Sequence, residues 1–151
     1  MPDVKRQLTR VGNRVAVWLY GVLNGRASSG RRGVHVLVIT TSGRRTGVQR
    51  STCVRYLDTP DGLVVWGTGS GSPTDPDWFR NLRDAKVANL RVGAKRQQVR
   101  PRELVSQERD AMWNNVVLAQ APEVAKYAQR ANRTIPVALL MPLEGDCCRF
   151  S

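Results

Sequence analysis

The feature that most restricts the fold of this chain is a succession of short strand patterns joined by short connections. Six segments have the β-branched or alternating composition that is typical of strands. They cover residues 34–41, 49–57, 63–68, 87–92, 97–105 and 134–143. Because most connections between them are short, the strands should pair antiparallel. The sequence therefore predicts a mainly β domain of the α+β class, whose sheet closes on itself as a small barrel.

Short helices are predicted between the later strands. The pair Asp75-Pro76 combines a favourable N-cap with a favourable first helical residue, so a helix should begin there and run to Asp84. Two further helical segments follow the fifth strand, at residues 106–119 and 122–132. These short helices should pack on the barrel.

The first 33 residues differ in composition from the barrel segment. Residues 4–23 place apolar side chains at spacings of three and four with arginines on the opposite side, and a Gly/Ser-containing linker follows. Such a basic amphipathic helix either contacts a membrane surface or packs on its own domain with a solvated basic face, and both possibilities stay open. The predicted organisation is a helix and linker over residues 1–33, a barrel domain over 34–143 and a tail over 144–151.

The chain is strongly basic, with 24 Lys and Arg residues against 12 Asp and Glu and a formal net charge of +12. Eleven of the basic residues, against a single acid, precede residue 56. This excess predicts an anionic partner, which is a nucleic acid, an anionic lipid surface or a multiply charged small molecule. No helix-turn-helix pattern or basic–aromatic interleaving accompanies it, which argues against nucleic acid.

Most catalytic templates are missing from the sequence. The single histidine, His35, lies in an apolar strand pattern, and Cys53, Cys147 and Cys148 lack the spacing of metal ligands. His-based triads, metal clusters and a disulfide framework are therefore not expected, and the cysteine usage is typical of a reducing cytoplasm. The longest apolar run, from Val15 to Leu23, is too short to span a membrane. Such a protein either binds ligands or leaves the chemistry to a cofactor.

The strongest local signal is a glycine-bounded basic turn over residues 43–50, with the sequence GRRTGVQR. Its glycines permit a sharp turn whose backbone N–H groups can converge on an anion, and three arginines surround it. A second signal is DPDWFRNL at residues 75–82, a helix N-terminus with aromatic side chains that can pack on a ring. Each signal has an ordinary alternative. For the first it is a solvent-exposed basic turn without a ligand, and for the second it is packing of the aromatic residues in the core.

In combination, these motifs resemble the deazaflavin-dependent nitroreductase family. The similarity rests on G-R-R-T-G-x-x-R, a D-G turn, a Gly/Ser loop, P-x-W-x-x-N-L and a closing R-T-I-P-V, and it covers residues 34–143. It implies a split β-barrel of the FMN-binding type that binds coenzyme F-420, an 8-hydroxy-5-deazaflavin with a phosphodiester and an oligoglutamate tail. Members use the reduced cofactor to deliver hydride to quinones, nitroaromatics or conjugated enones and lactones.

The resemblance also implies site residues by position. The phosphate and acidic tail would be held by the residues of the basic turn, which are Arg44, Arg45, Thr46, Gly47, Val48, Gln49 and Arg50. The deazaflavin ring would be framed by residues after the third strand and in the following helix, which are Trp66, Gly67, Thr68, Asp77, Trp78 and Asn81. Tyr127 and Thr68 are the candidates for delivering the proton that must accompany the hydride. The family's loop lysine, which assists phosphate binding, falls on Gly69, so the arginines of the turn would have to suffice. Tyr127 is the one tyrosine left in the penultimate helix, which argues against nitro-prodrug activation.

The predicted function is thus an F-420-dependent oxidoreductase that reduces a quinone, enone, lactone or nitroaromatic acceptor. The alternative is a non-catalytic deazaflavin- or lipid-binding module on the same barrel. A cytoplasmic protein without a metal site is expected, with peripheral contact to the inner face of the membrane through residues 4–23 if the basic helix binds lipid.

Overall fold

The computed structural model describes residues 35–143, in which six antiparallel strands close into a barrel. The strands are β1 His35–Ser42, β2 Gln49–Thr59, β3 Gly62–Trp66, β4 Ala88–Val92, β5 Lys95–Leu104 and β6 Val137–Pro142. Their order around the barrel is β1-β2-β3-β6-β5-β4, and β4 pairs with β1 to complete the circle. The predicted closed antiparallel sheet is confirmed. The amphipathic segment 4–23 and the tail 144–151 lie outside the described residues.

The alternation of side chains along the strands sorts the apolar residues into two layers. On β3, Leu63 and Val65 belong to the cluster inside the barrel, whereas Val64 and Trp66 belong to a cluster on its outer face. The central residues of β6 alternate in the same way between the two clusters. All five residues of β3 are buried. These two strands are therefore covered on both faces, by the barrel interior and by helices.

Four α-helices within residues 35–143 accompany the barrel. They are α1 Asp77–Asp84, α2 Ser106–Met112, α3 Leu118–Gln120 and α4 Val124–Ala131. A wider π-type turn over Trp113–Val117 joins α2 to α3, so the helix predicted over residues 106–119 is interrupted. Trp113 and Val117 pack from this turn into the outer cluster with Trp66. No helix within residues 35–143 has the length and apolar character that a bilayer crossing requires.

Helix α1 closes one end of the barrel. Its Phe79 and Leu82 are fully buried and belong to the interior cluster. The prediction that Asp75 caps α1 is wrong, because Pro76 occupies the N-cap position and no side chain caps the helix. The carboxylate of Asp75 instead accepts hydrogen bonds from Arg133 and Arg83. The chain direction of β1 and β2 places the basic turn that joins them beside this helix.

Candidate functional site

The basic turn between β1 and β2 is held in shape by its own backbone. The N–H of Gly43 donates to the carbonyl of Val48 at 2.8 Å, and the N–H of Gly47 donates to the carbonyl of Gly43 at 2.8 Å. Gly47 has φ +70°, a left-handed conformation that favours glycine. The hydroxyl of Thr46 accepts a hydrogen bond from the N–H of Val48 at 3.3 Å. The turn is therefore preformed by contacts within residues 43–48.

Arg44 attaches this turn to α1. Its backbone N–H and its Nη1 both donate to Oδ1 of Asn81, at 3.2 and 3.0 Å. Its Nη2 lies 3.5 Å from Oδ1 of Asp77, one helical turn before Asn81. Asn81 is buried, so its amide oxygen is committed to Arg44. The structure thus brings together three of the predicted site residues, with the guanidinium of Arg44 largely engaged by the protein itself.

Arg45 and Arg50 differ from Arg44 in their partners, although all three residues are exposed. Within residues 35–143, neither guanidinium forms an ion pair with an acidic side chain, in contrast to Arg44. Arg50 is paired in register with Thr41, on the side of the sheet that faces the interior cluster. The backbone N–H groups of Arg45 and Thr46 have no backbone acceptor among the described residues. The turn therefore carries two cations without an ion-pair partner and two N–H donors without a backbone acceptor in the described part of the chain.

The two remaining members of the turn are also exposed. Val48 is 56% exposed. Gln49 donates from its amide nitrogen to the hydroxyl of Ser42 at 3.0 Å. Both residues lie beside the arginines of the turn, and the side chain of Gln49 is held by its hydrogen bond to Ser42 on the neighbouring strand.

The residues predicted to frame a ring divide between the core and the surface. Trp66 is buried in the outer cluster, with the guanidinium carbon of Arg55 6.0 Å from its ring centre. Trp78 is half-buried and meets the ring of Phe79 edge-on, at a centroid distance of 5.4 Å. Thr68 is half-buried, and its hydroxyl makes no hydrogen bond to another described residue. Trp78 and Thr68 are therefore accessible to a ligand, whereas Trp66 supports the fold.

Gly67 lets the end of β3 approach α1 closely. A Cβ atom at this position would lie 3.2 Å from the ring of Phe79 and 3.2 Å from Pro136. The N–H of Gly67 donates to the carbonyl of Pro136 at 3.0 Å, which anchors the loop to the segment before β6. Gly67 thus serves close packing behind the loop that carries Thr68.

Arg133 holds the loop between β3 and α1. It belongs to the motif R-T-I-P-V, but no role was predicted for it from the sequence. Its Nε donates to the carbonyl of Ser72 at 3.0 Å, and its Nη1 donates to Oδ1 of Asp75 at 2.7 Å. Its Nη2 lies within 3.3 Å of three further loop carbonyls, those of Gly67, Thr68 and Thr74. The sequence signal that could have indicated this role is the position of the arginine, between the end of a helix and a buried strand.

Tyr127 lies on α4, the helix that covers the same loop. Its side chain is 37% exposed. One turn later, the stem of Arg130 lies over Gly71, where a Cβ atom would come within 2.6 Å of Arg130 Cδ. The structure thus places the helix that bears the predicted proton donor directly against the loop that bears Thr68.

A separate cavity of about 460 Å³ opens beside α1. Its polar lining includes Arg83, Glu103, Ser106 and Arg109. Arg109 donates to the carbonyl of Ile135 through Nε and Nη2, at 2.9 and 2.7 Å. Hydrogen bonds, first to Glu103 and then to Asp75, raise the pKa of Arg83 above its ordinary value. The cations of this cavity are thus engaged by the protein, and no predicted site residue lines it.

The described residues hold no set of side chains suited to a metal. Within residues 35–143, no three His, Cys, Asp or Glu side chains come together. His35 is the exposed first residue of β1, and its ring lies 5.8 Å from that of Tyr56. Burial raises the pKa of the Cys53 thiol above its ordinary value, which keeps it protonated at neutral pH. Neither residue offers a reactive centre.

Comparison with known sequences gives a consistent result. The sequence profile described as F420H(2)-dependent quinone reductase matches residues 12–142. An F420H(2)-dependent quinone reductase of Mycobacterium tuberculosis is 28% identical over 123 residues, which are 76% of this chain and 83% of that protein. Residues 12–142, which the profile matches, contain the barrel, the basic turn and the loop held by Arg133.

Solved structures share the fold at lower identity. A structure described as an F420-H2 dependent reductase aligns with a TM-score of 0.61 and 23% identity, covering 76% of this chain and 98% of the other. A heme storage protein from Vibrio cholerae aligns with a TM-score of 0.52 and 10% identity, covering 73% of this chain and 82% of the other. Proteins with different described roles therefore use this barrel, so the fold alone does not define the chemistry.

Proposed function

The chain belongs to the F420H(2)-dependent quinone reductase family, and from this premise we propose which of its residues bind the cofactor and which serve the reaction. As a member of the family, it is an oxidoreductase that uses coenzyme F-420 and reduces quinones. The observation that supports the site is the preformed basic turn, whose Arg45 and Arg50 project without acidic partners in the described part of the chain.

The anionic part of the cofactor suits this turn. A phosphodiester with a glutamate tail requires several donors and cations close together. Arg45, Arg50 and the backbone N–H groups of residues 45 and 46 offer that combination. Arg44 shapes the site from its fixed position on Asn81 and Asp77, while Gly47, Val48 and Gln49 form the rim of the turn. We assign the phosphate and tail to this surface.

The planar part of the cofactor is assigned to the neighbouring surface of α1 and the loop after β3. Trp78 and Thr68 supply its accessible side chains, and Gly67 and Trp66 support it from behind. Asp77 and Asn81 join this surface to the basic turn through Arg44. A ligand that bridges both surfaces would contact residues from β1, β2, β3 and α1.

Reduced coenzyme F-420 supplies a hydride when it is bound. The protein must orient the flat acceptor, exclude water and provide a proton, because a quinone that accepts a hydride becomes a hydroquinone after protonation. We propose that this proton passes from Oγ1 of Thr68 or Oη of Tyr127, the two hydroxyls on facing elements of the site.

Replacing the proton donor should lower turnover without affecting cofactor binding. We expect either Thr68→Val or Tyr127→Phe to reduce kcat by about tenfold or more, which is within the range of general acid catalysis. The cofactor dissociation constant should stay within about twofold, because Tyr127 is not assigned to the cofactor and Thr68→Val keeps the shape of the side chain beside the ring. Steady-state kinetics over a pH series, with parallel cofactor titrations, measures both. If both variants keep the wild-type kcat and pH profile, the proton comes from solvent.

Two extensions belong to the same proposal. The acceptors include, besides quinones, conjugated enones or lactones and nitroaromatics. The basic amphipathic pattern of residues 4–23 favours peripheral contact with the anionic inner surface of the membrane, where a lipid-soluble quinone resides.

A single preparation tests these assignments. Purified protein is mixed with reduced coenzyme F-420 and with menaquinone in anionic vesicles, and the absorbance of the oxidised cofactor is followed. We expect micromolar binding and quinone-dependent oxidation. Absence of binding would overturn the cofactor assignment, and binding without oxidation would favour the non-catalytic module. Enone and nitroaromatic acceptors are compared in the same assay. Sedimentation of the vesicles, with and without residues 1–28, tests membrane contact.

A further inference from the structure

We propose that Arg133 is a positioning residue that sets the conformation of the loop from Gly67 to Asp75 before any ligand binds. The loop carries Thr68, so the relevance of this role to catalysis rests on the proposed function. The rigidity of the loop itself is a property of the free protein and is argued from the contacts of Arg133 alone.

The first step is the number of loop groups that one side chain binds. Hydrogen bonds run from Arg133 to four carbonyl oxygens and one carboxylate oxygen, at 2.7 to 3.3 Å. The acceptors belong to Gly67, Thr68, Ser72, Thr74 and Asp75. The side chain of Arg133 is only 15% exposed. A guanidinium offers five N–H groups in a planar fork, so Arg133 spends nearly all of its hydrogen-bonding capacity on one loop.

The second step is that the loop needs a cation at the point where its carbonyl groups meet. Four carbonyl dipoles and a carboxylate converge on one point, and their negative ends repel each other unless a cation lies between them. The loop also contains three consecutive left-handed residues, Gly69 at φ +55°, Ser70 at φ +56° and Gly71 at φ +87°. Ser70 adopts this conformation against its steric preference. Without Arg133, neither the convergence of the carbonyls nor the strain at Ser70 would be compensated.

The third step is that Arg133 is itself anchored. Asp75 receives Arg133 on Oδ1 and Arg83 on Oδ2, at 2.7 and 2.9 Å. Arg83 in turn binds Glu103 of β5 through two hydrogen bonds, at 2.6 and 3.0 Å. Just before Arg133, Asn132 is left-handed at φ +51°, which turns the chain from α4 toward the loop. The network therefore ties the loop to α1, β5 and the end of α4.

These contacts indicate that the loop is a fixed wall of the site. The carbonyls of Gly67 and Thr68 point at Arg133, so the backbone on both sides of the Thr68 side chain is fixed from the inside. The position of the Thr68 hydroxyl is then set without help from a ligand. Cofactor binding should consequently proceed without an ordering step in this loop.

Hydrogen–deuterium exchange on the cofactor-free full chain tests this proposal. In Arg133→Lys the charge remains but the fork is lost, and we expect amides in residues 67–75 to exchange about tenfold faster or more, with β1 and β5 unchanged. In Arg133→Ala, millimolar guanidinium ion should restore slow exchange, whereas ammonium ion should not. The cofactor dissociation constant should rise about tenfold in Arg133→Lys, as expected when a preorganised wall is lost.

The matched control is Arg102→Lys, which alters an exposed arginine paired with Glu108 outside the loop. It should leave both exchange and cofactor affinity unchanged. Unchanged exchange of residues 67–75 in Arg133→Lys would overturn the proposal, as would an equal acceleration throughout the barrel, which would indicate a role in global stability. Cofactor titration of the wild-type protein is scored separately, so failure of the proposed function is distinguishable from failure of the positioning role.

Discussion

Reversing both exposed charges of the basic turn, in Arg45→Glu/Arg50→Glu, is expected to weaken binding of coenzyme F-420 at least about 100-fold, or about 2.8 kcal/mol at 1.4 kcal/mol per tenfold change. The two arginines lack acidic partners among residues 35–143, so an anionic ligand would be their counter-charge. Reversal both removes two charge-assisted hydrogen bonds and introduces repulsion with the phosphate and glutamates. Titration of the cofactor's fluorescence measures the loss.

The control for this prediction is Lys95→Glu/Arg96→Glu, which changes the net charge by the same amount on exposed positions of β5. The registers place Arg96 level with Val38, four residues before the end of β1 that leads into the basic turn. Its effect on cofactor affinity should stay within about threefold, because charges beyond the Debye length of about 10 Å at 0.1 M salt are largely screened. The loss in the Arg45/Arg50 variant should shrink as salt is raised. Equal losses in the two variants would show that overall charge governs binding, and the basic turn would lose its assignment.

Removing the phenyl ring of Phe79 is expected to lower the free energy of unfolding by about 3–5 kcal/mol, the range for Phe→Ala in a protein core. Phe79 is fully buried at the end of the barrel, where it contacts Gly67, the ring of Trp78 and the guanidinium of Arg83. Truncation would leave a cavity lined by residues of α1 and the strands. Urea denaturation followed by circular dichroism measures the change.

Two variants bracket this prediction. Phe79→Leu should cost about 1 kcal/mol, since much of the buried volume is retained, and it remains measurable if the alanine variant does not fold. Val87→Ala alters a residue that is 44% exposed and should change stability by less than about 0.5 kcal/mol. A loss below about 1 kcal/mol in Phe79→Ala would mean that α1 does not close the barrel.

The barrel could be predicted from the sequence because its information is local. Each strand carries a period-two or β-branched pattern of its own, and the short connections leave antiparallel closure as the simplest arrangement. The helix boundaries were less accessible. Trp113 and Val117 both reach the outer cluster through a π-type turn, and a helical pattern alone does not reveal that extra residue per turn.

The candidate site could be predicted only in part. The basic turn was recognisable because its glycines and arginines are neighbours in sequence. The pairing of Asp75 with two arginines could not be recognised, because one of them, Arg133, lies 58 residues away in the sequence. Likewise, nothing local distinguishes Arg44, which is held by Asn81, from the exposed Arg45 beside it. Such partnerships depend on tertiary contacts, so charge patterns could indicate a candidate site but could not divide its cations between structure and ligand.

The closure of the sheet also limits how this protein can associate with others. Each of the six described strands has two neighbours in the barrel, but the pairing is partial along their length. In the registers, residues 49–56 of β2 pair with β1 and residues 57–59 pair with β3. Within residues 35–143, addition of a foreign strand, which drives much edge-to-edge aggregation, is limited to such singly paired stretches. Side chains and loops are the other means of recognition at this barrel, and its cationic turn and its arginine-anchored loop are among them.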